Sequence, residues 1–315
     1  MIGAIIGDVA GSRFEFNNYF GKDFMLLGVQ DRMSRKFGRV YFTDDTVMTI
    51  AVADALVKIG ARLPDNKELW PEWRWKFQTL LRATMCVWGE AYPNAGYGGR
   101  FYQWLFDGKQ EPYNSCGNGS AMRVSPVIYW ARSIDEVQAL ATWSAEISHN
   151  HPEGIKAAVV TATAGYMGRV GYTKMEIGKY LVQQYPVVLT RSGRQLRATP
   201  HSELSQVTAP LAYEGFLMGK SFTDCLKETI SYGNDCDTTA AICGGIAEGF
   251  YGVPEHLRKG VMDLLPKEFC LVIRDYYRTL RQWGVDARVE PASKGTQYVV
   301  KMAADVLDEQ KARVE

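Results

Sequence analysis

The sequence predicts an all-α protein, and three observations carry that prediction. Apolar positions recur at three- and four-residue spacing in eight segments: 47–59, 73–87, 134–147, 155–167, 204–218, 239–250, 261–280 and 298–307. Strand-like alternation is almost absent; only 39–42 and 186–190 are short candidates, and a loop would explain either. Two helical stretches, 154–171 and 240–252, are rich in Gly and Ala. Small residues let helix axes approach closely, which suits the centre of a large bundle.

In chain order, the opening GDVAGSRFE follows Gly3 and continues through Gly7 and Gly11, a four-residue repeat that permits a closely packed short helix. Asp8 and Glu15 can be solvated there; alternatively Glu15 lies beyond the helix end as a carboxylate able to shuttle protons. Thr43-Asp44-Asp45-Thr46 then precedes the helix at 47–59, as Asp235-Cys236-Asp237-Thr238 precedes that at 239–250. Ser, Thr and Asp are preferred N-caps, and a carboxylate near a helix N-terminus gains about 0.3–1 kcal/mol, so each cluster alone reads as a cap. Together they exceed that need. A cap uses one side chain, whereas each cluster offers two carboxylates and a hydroxyl, and crowded like charges are unfavourable unless a cation or proton offsets them. An oxygen-only donor set selects hard ions such as Mg²⁺, Mn²⁺ or Ca²⁺, and Cys236 can point away from its flanking aspartates.

Between these clusters, Trp70, Trp73 and Trp75 read as packing or rim residues of the helix at 73–87. Gly96-Tyr97-Gly98-Gly99 and Gly117-Asn118-Gly119-Ser120 are glycine loops, the second leading into a predicted helix at 120–130. Their backbone N–H groups suit phosphate oxygens, although neither has P-loop or dinucleotide-binding spacing and a plain turn explains each. In Ser148-His149-Asn150-His151-Pro152, the second histidine precedes proline in a helix-initiating turn, so hydrogen bonding is expected of this pair rather than metal ligation. Residues 191–202 are expected to form an exposed polar insertion. No linker or solenoid repeat is visible, so residues 1–315 are expected to form a single compact domain.

With 36 Lys plus Arg against 35 Asp plus Glu, the formal charge is +1, which excludes nucleic-acid binding through bulk charge. Six scattered Cys without a C-x-x-C and only four His argue against a disulfide framework and a zinc site. The opening residues lack a basic leader and meet Asp8 early, and no apolar run reaches the roughly 18 residues of a membrane helix. A cytoplasmic protein with no membrane partner is expected.

The ordered set GDxxGxxxE, TDDT, GYG, GNGSAMR, SHNHP and GNDxDTTA resembles the ADP-ribosylglycohydrolase family, typified by dinitrogenase reductase-activating glycohydrolase. The match runs from Gly7 to about Gly252, in the family's order. Each piece is unspecific, but the set is not. The resemblance implies an all-α fold with two Mg²⁺ or Mn²⁺ ions at the bottom of a cleft, with Thr43, Asp44 and Asp45 as one ligand group and Asp235, Asp237 and Thr238 as the other. It implies Glu15 in catalysis or gating. It implies Ser115, Cys116, Gly117, Asn118 and Gly119 with His149 at the diphosphate and proximal ribose, the main chain of Cys116 mattering more than its thiol. Gly96, Tyr97 and Gly98 fall on the loop facing the adenosine half. The implied activity is hydrolytic release of ADP-ribose from a protein side chain or small acceptor, with a monomer expected. Cleavage at an anomeric carbon needs a water, a carboxylate that manages protons and groups that fix the ribose, and this residue set contains each kind. Two alternatives are a non-catalytic ADP-ribose reader or structural protein on the same fold, and a divalent-metal nucleotide phosphohydrolase.

Overall fold

In the computed structural model, residues 1–17, 19–106 and 108–285 are described. They form the helices α1 (Ile2–Gly11), α2 (Arg32–Phe37), α3 (Asp44–Ile59), α4 (Trp70–Ala91), α5 (Gly99–Phe106), α6 (Gly119–Met122), α7 (Ser125–Trp130) and α8 (Ile134–Glu146). The chain continues through α9 (Pro152–Val170), α10 (Lys174–Gln184), α11 (Gly193–Arg197), α12 (Ser205–Met218), α13 (Phe222–Ile230), α14 (Cys236–Tyr251), α15 (Glu255–Leu264) and α16 (Lys267–Gln282). Among the described residues there is no β-strand, only an isolated bridge between Gly117 and Leu204. The expected strand candidates are irregular at 39–42 and turns at 186–190.

The centre of the molecule is the pair α1 and α14, which pack together more extensively than any other two helices. All of α1 is buried, as is α14 from Cys236 to Gly249. The glycine repeat explains the fit: a Cβ on Gly11 would lie 2.5 Å from Asp237 Cα, and Gly3 and Gly7 face the Gly244 and Ala240 carbonyls just as closely. A helical Gly costs about 1 kcal/mol relative to Ala, so three in one short helix are tolerated because the contact admits nothing larger. On the other side of α14 lies α9, where a Cβ on Gly168 would meet the Phe250 backbone at 2.9 Å.

Six predicted helices match α3, α4, α8, α9, α12 and α14, with only Ile147 and Leu204 falling one residue outside as caps. Two divide. The expected helix at 261–280 is split between α15 and α16, because Pro266 has no N–H and holds Leu265 extended (φ −91°, ψ 150°). Likewise the one at 120–130 separates into α6 and α7, with Pro126 in the first turn of the second. The expected helix at 298–307 lies outside the described residues. Of the segment at 191–202, most is exposed, but Ser192 and Gln195 form a capping box on α11, and Leu196 is buried against Leu211 and Tyr232. Trp73 is buried as expected, while Trp75 is exposed. No helix of the described residues is long and apolar enough to cross a membrane.

Candidate active site

Three helix ends meet at one cleft: the C-terminal end of α1 with Glu15 beyond it, and the N-termini of α3 and α14. Thr43 is the N-cap of α3, and Asp8 reaches across from α1 to complete that cap. Its carboxylate accepts the backbone N–H of Thr43 (3.0 Å) and Thr46 (3.0 Å), the Thr43 hydroxyl (2.8 Å) and the Thr46 hydroxyl. Four donors on one carboxylate offset part of the cost of its burial. Asp45 Oδ2 accepts from the Thr238 hydroxyl (3.1 Å), tying α3 to α14, and lies 3.2 Å from the Thr43 hydroxyl, whose one proton is closer to Asp8. Its Oδ1 is buried with no hydrogen-bond partner.

These contacts bring carboxylates together in two groups. One oxygen each of Asp8, Asp45 and Asp237 lie within 4.8 Å of one another, as do one each of Glu15, Asp235 and Asp237. Asp237 belongs to both. Burial pushes the Asp8 carboxyl up to about 6 against the pull of its four donors. Burial, then the neighbouring Asp235, push Glu15 up to about 7. Asp45 and Asp237 are held well above the usual carboxylate range by burial first and adjacent carboxylates second. Of the four expected ligand carboxylates, Asp44 stands outside both groups: its backbone N–H donates to the Ala95 carbonyl (2.8 Å), and its carboxylate lies 3.6 Å from where a Gly96 Cβ would be.

The opposite wall is loop. The cleft has a volume of about 530 Å³ and is bounded there by Gly96, Gly98, the segment 115–119 and His149. The GNG loop is stitched to the start of α12: Asn118 N–H donates to the Glu203 carbonyl (2.8 Å), Ser205 N–H to the Cys116 carbonyl (2.9 Å), and Ser205 Oγ to the Gly117 carbonyl (2.7 Å). The Cys116 main chain, not its thiol, thus makes the structural contact. Gly117 N–H is engaged by Ser115 Oγ (3.1 Å), so this amide and that of Asn118 are already used within the protein. A Cβ on Gly119 would meet His149 Nε2 at 2.9 Å. Asn118 joins the walls, its Nδ2 donating to Asp235 Oδ2 (2.7 Å). Tyr97 does not line the cleft: its ring turns toward Phe101, 6.0 Å between centroids. His151 caps α9 by accepting from Glu153 N–H (3.1 Å), the hydrogen-bonding role expected of it.

Several residues of the site have no role assigned by the sequence. Asp8, whose carboxylate joins the first group, reads in the sequence only as an acidic group on a tight helix. Arg123 closes the GNGSAMR motif but carried no assigned role. Glu203, Tyr41 and Phe16 also line the cleft, and nothing in their local pattern distinguishes them.

Comparisons with known proteins converge on one family. Residues 1–288 match the family model described as ADP-ribosylglycohydrolase. An uncharacterized protein of Archaeoglobus fulgidus is 24% identical over 84% of this chain and 90% of its own length. The ADP-ribosyl-(dinitrogen reductase) glycohydrolase of Rhodospirillum rubrum is 26% identical over 81% of this chain and 85% of its own. Human ADP-ribosylhydrolase ARH3 is 26% identical over 56% of this chain and 50% of its own. Among solved structures, a chain titled ADP-ribosylglycohydrolase-related protein complex superposes with a TM-score of 0.62 at 18% identity, covering 89% of this chain and 97% of that one.

Proposed function

The chain belongs to the ADP-ribosylglycohydrolase family, and from that premise we propose that it is a metal-dependent hydrolase releasing ADP-ribose from an ADP-ribosylated protein side chain or small acceptor. The carrying observation is the pair of carboxylate groups sharing Asp237, set across one cleft from the glycine loops. The donor set fits two hard divalent ions. It is all oxygen, it crowds buried carboxylates, and it leaves Asp45 Oδ1 without a partner. Thr43, Asp44, Asp45, Asp235, Asp237 and Thr238 are the proposed ligand residues, and the two groups add Asp8 and Glu15 as neighbours able to share the charge. Two Mg²⁺ or Mn²⁺ ions, when bound, supply charge that orients a ribose diol and lowers the pKa of a water.

The chain's own residues do the rest. Glu15, at the open edge of the carboxylates, is placed to take a proton from a water or return one to the leaving group. Asn118 holds Asp235 through a single oxygen and so fixes its orientation. Gly96, Gly98, residues 115–119 and His149 bound a cleft of the size that nucleotide-like ligands fill. Tyr41 and Phe16, 52% and 76% exposed, border the mouth on the Glu15 side, where the acceptor would leave. All six cysteines are free, in keeping with the proposed cytoplasmic setting.

The test is a panel of defined Arg-, Ser- and O-acetyl-linked ADP-ribose substrates, assayed with each metal and after chelation. Intact ADP-ribose released only with metal is the expected product. AMP instead would make the protein a phosphohydrolase, and tight ADP-ribose binding without release from any substrate would make it a reader.

A further inference from the structure

Arg123 brings a guanidinium into the interior, and among the described residues no carboxylate forms an ion pair with it. It is fully buried at the C-cap of α6, with its guanidinium carbon 5.6 Å from the Phe101 ring centre. Nη2 donates to the Ser144 carbonyl (3.1 Å) and to Ser148 Oγ (2.9 Å), while Nε and Nη1 have no hydrogen-bond partner. Ser148 Oγ lies 2.8 Å from His149 Nδ1.

Counting donors fixes the direction of this chain. A guanidinium can only donate, so Ser148 Oγ accepts from Arg123, and the one proton of the Ser148 hydroxyl still needs an acceptor of its own. Ser148 is completely buried, and His149 Nδ1 is the acceptor that its hydroxyl reaches. An Nδ1 that accepts carries no proton, so the neutral imidazole is protonated at Nε2. Burial first, and the Arg123 charge second, hold the ring well below its usual pKa and therefore neutral. Nε2 faces the glycine loop, 2.9 Å from where a Gly119 Cβ would stand and 3.6 Å from that of Gly117.

We propose that Arg123 and Ser148 are positioning residues that fix His149 as the Nε2–H tautomer, so that the ring presents a neutral hydrogen-bond donor to an acceptor oxygen held at the GNG loop. The identity of that oxygen, a diphosphate or ribose oxygen of ADP-ribose, rests on the proposed function; the relay itself does not. A neutral donor serves there because it stays protonated at Nε2 at any pH at which the protein is folded and the ring uncharged.

The experiment is ¹⁵N NMR of the full chain labelled at histidine, with the His149 signals assigned through His149→Gln among the four histidines. The expected spectrum has a pyridine-like Nδ1 and a pyrrole-like Nε2 for His149. A protonated Nδ1, or averaging between tautomers, in the wild-type protein overturns the relay. Ser148→Ala and Arg123→Met should each shift the ring toward mixed tautomers, and Arg123→Lys should restore the wild-type pattern by donating to Ser148 again. An unchanged spectrum in Ser148→Ala also overturns the relay, and this variant keeps the inference testable if Arg123→Met fails to fold. In calorimetry, Ser148→Ala should bind ADP-ribose about tenfold more weakly, the loss expected of one hydrogen bond. A wild-type protein with the expected tautomer but no ADP-ribose binding would overturn the ligand assignment and leave the relay standing.

Discussion

The two walls of the cleft are built by opposite means. The acidic wall consists of helix termini whose side chains are almost all buried and whose backbone is locked by the α1–α14 contact. The glycine wall consists of loop segments held by a few hydrogen bonds to the start of α12. The acidic wall needs its geometry to a fraction of an ångström, because carboxylates at this spacing repel unless something sits between them. A loop wall needs only to offer donors and room. The contrast teaches that in this protein charge is organised by helix packing and ligand shape by loop backbone.

The sharpest way to break this division is Asp237→Asn, which keeps the shape and removes the carboxylate common to both groups. ADP-ribose release should fall by more than about 100-fold, above the loss expected for an outlying partner, and Mn²⁺ should no longer raise Tm. Asn118→Ala, which cuts the bond between the walls, should lower kcat/KM by about 10–100-fold with circular dichroism unchanged. Gly11→Ala should cost about 1–3 kcal/mol in urea unfolding, because the new methyl meets the Asp237 backbone and neither helix can turn it aside. A pH series probes the acidic wall without mutation. In the folded, ion-free protein Asp8 and Glu15 bind protons more tightly than in the unfolded chain, titrating at about 6 and about 7. Their contribution is therefore complete below the ordinary carboxylate range and lost as pH rises through those values. Tm should drop by a few degrees between about pH 5 and pH 8, and saturating Mg²⁺ or Mn²⁺ should remove most of the drop. The smallest effect belongs to the other wall: Gly99→Ala meets nothing within 4 Å and should stay within about 0.5 kcal/mol of wild type.

Helical periodicity marks most of the long helices, because apolar residues at three- and four-residue spacing meet the same core, on one face in α4 and on nearly every face in α14. It carried through Pro266 and Pro126, where the apolar spacing persists but the backbone cannot continue. The shorter helices α10 and α13 are not among the expected ones, although Thr173 and Ser221 cap their starts. The two TDDT-like clusters were legible because each holds more oxygen donors than a cap uses. Asp8 was not, since a single acid in an apolar helix shows its partners only once α3 is docked. Tyr97 is expected to act with its glycine neighbours, yet a loop sequence does not say which way a ring turns; here the ring packs beside Phe101. Glu203 enters the site both by its carbonyl, which accepts from Asn118 N–H, and by its carboxylate, 3.6 Å from where a Gly98 Cβ would stand, and a lone acid in a polar loop does not announce either.

Asn118 spans both walls, its side chain on Asp235 and its N–H on the Glu203 carbonyl. A ligand that shifts the loop therefore also perturbs the carboxylate, and one that draws on the carboxylate perturbs the loop. Thermodynamic reciprocity then requires that whatever factor an ion contributes to the affinity for the sugar nucleotide, the sugar nucleotide contributes to the affinity for the ion. Under the proposed function this one amide would couple ion and sugar nucleotide, and in Asn118→Ala the two affinities should lose their dependence on each other together.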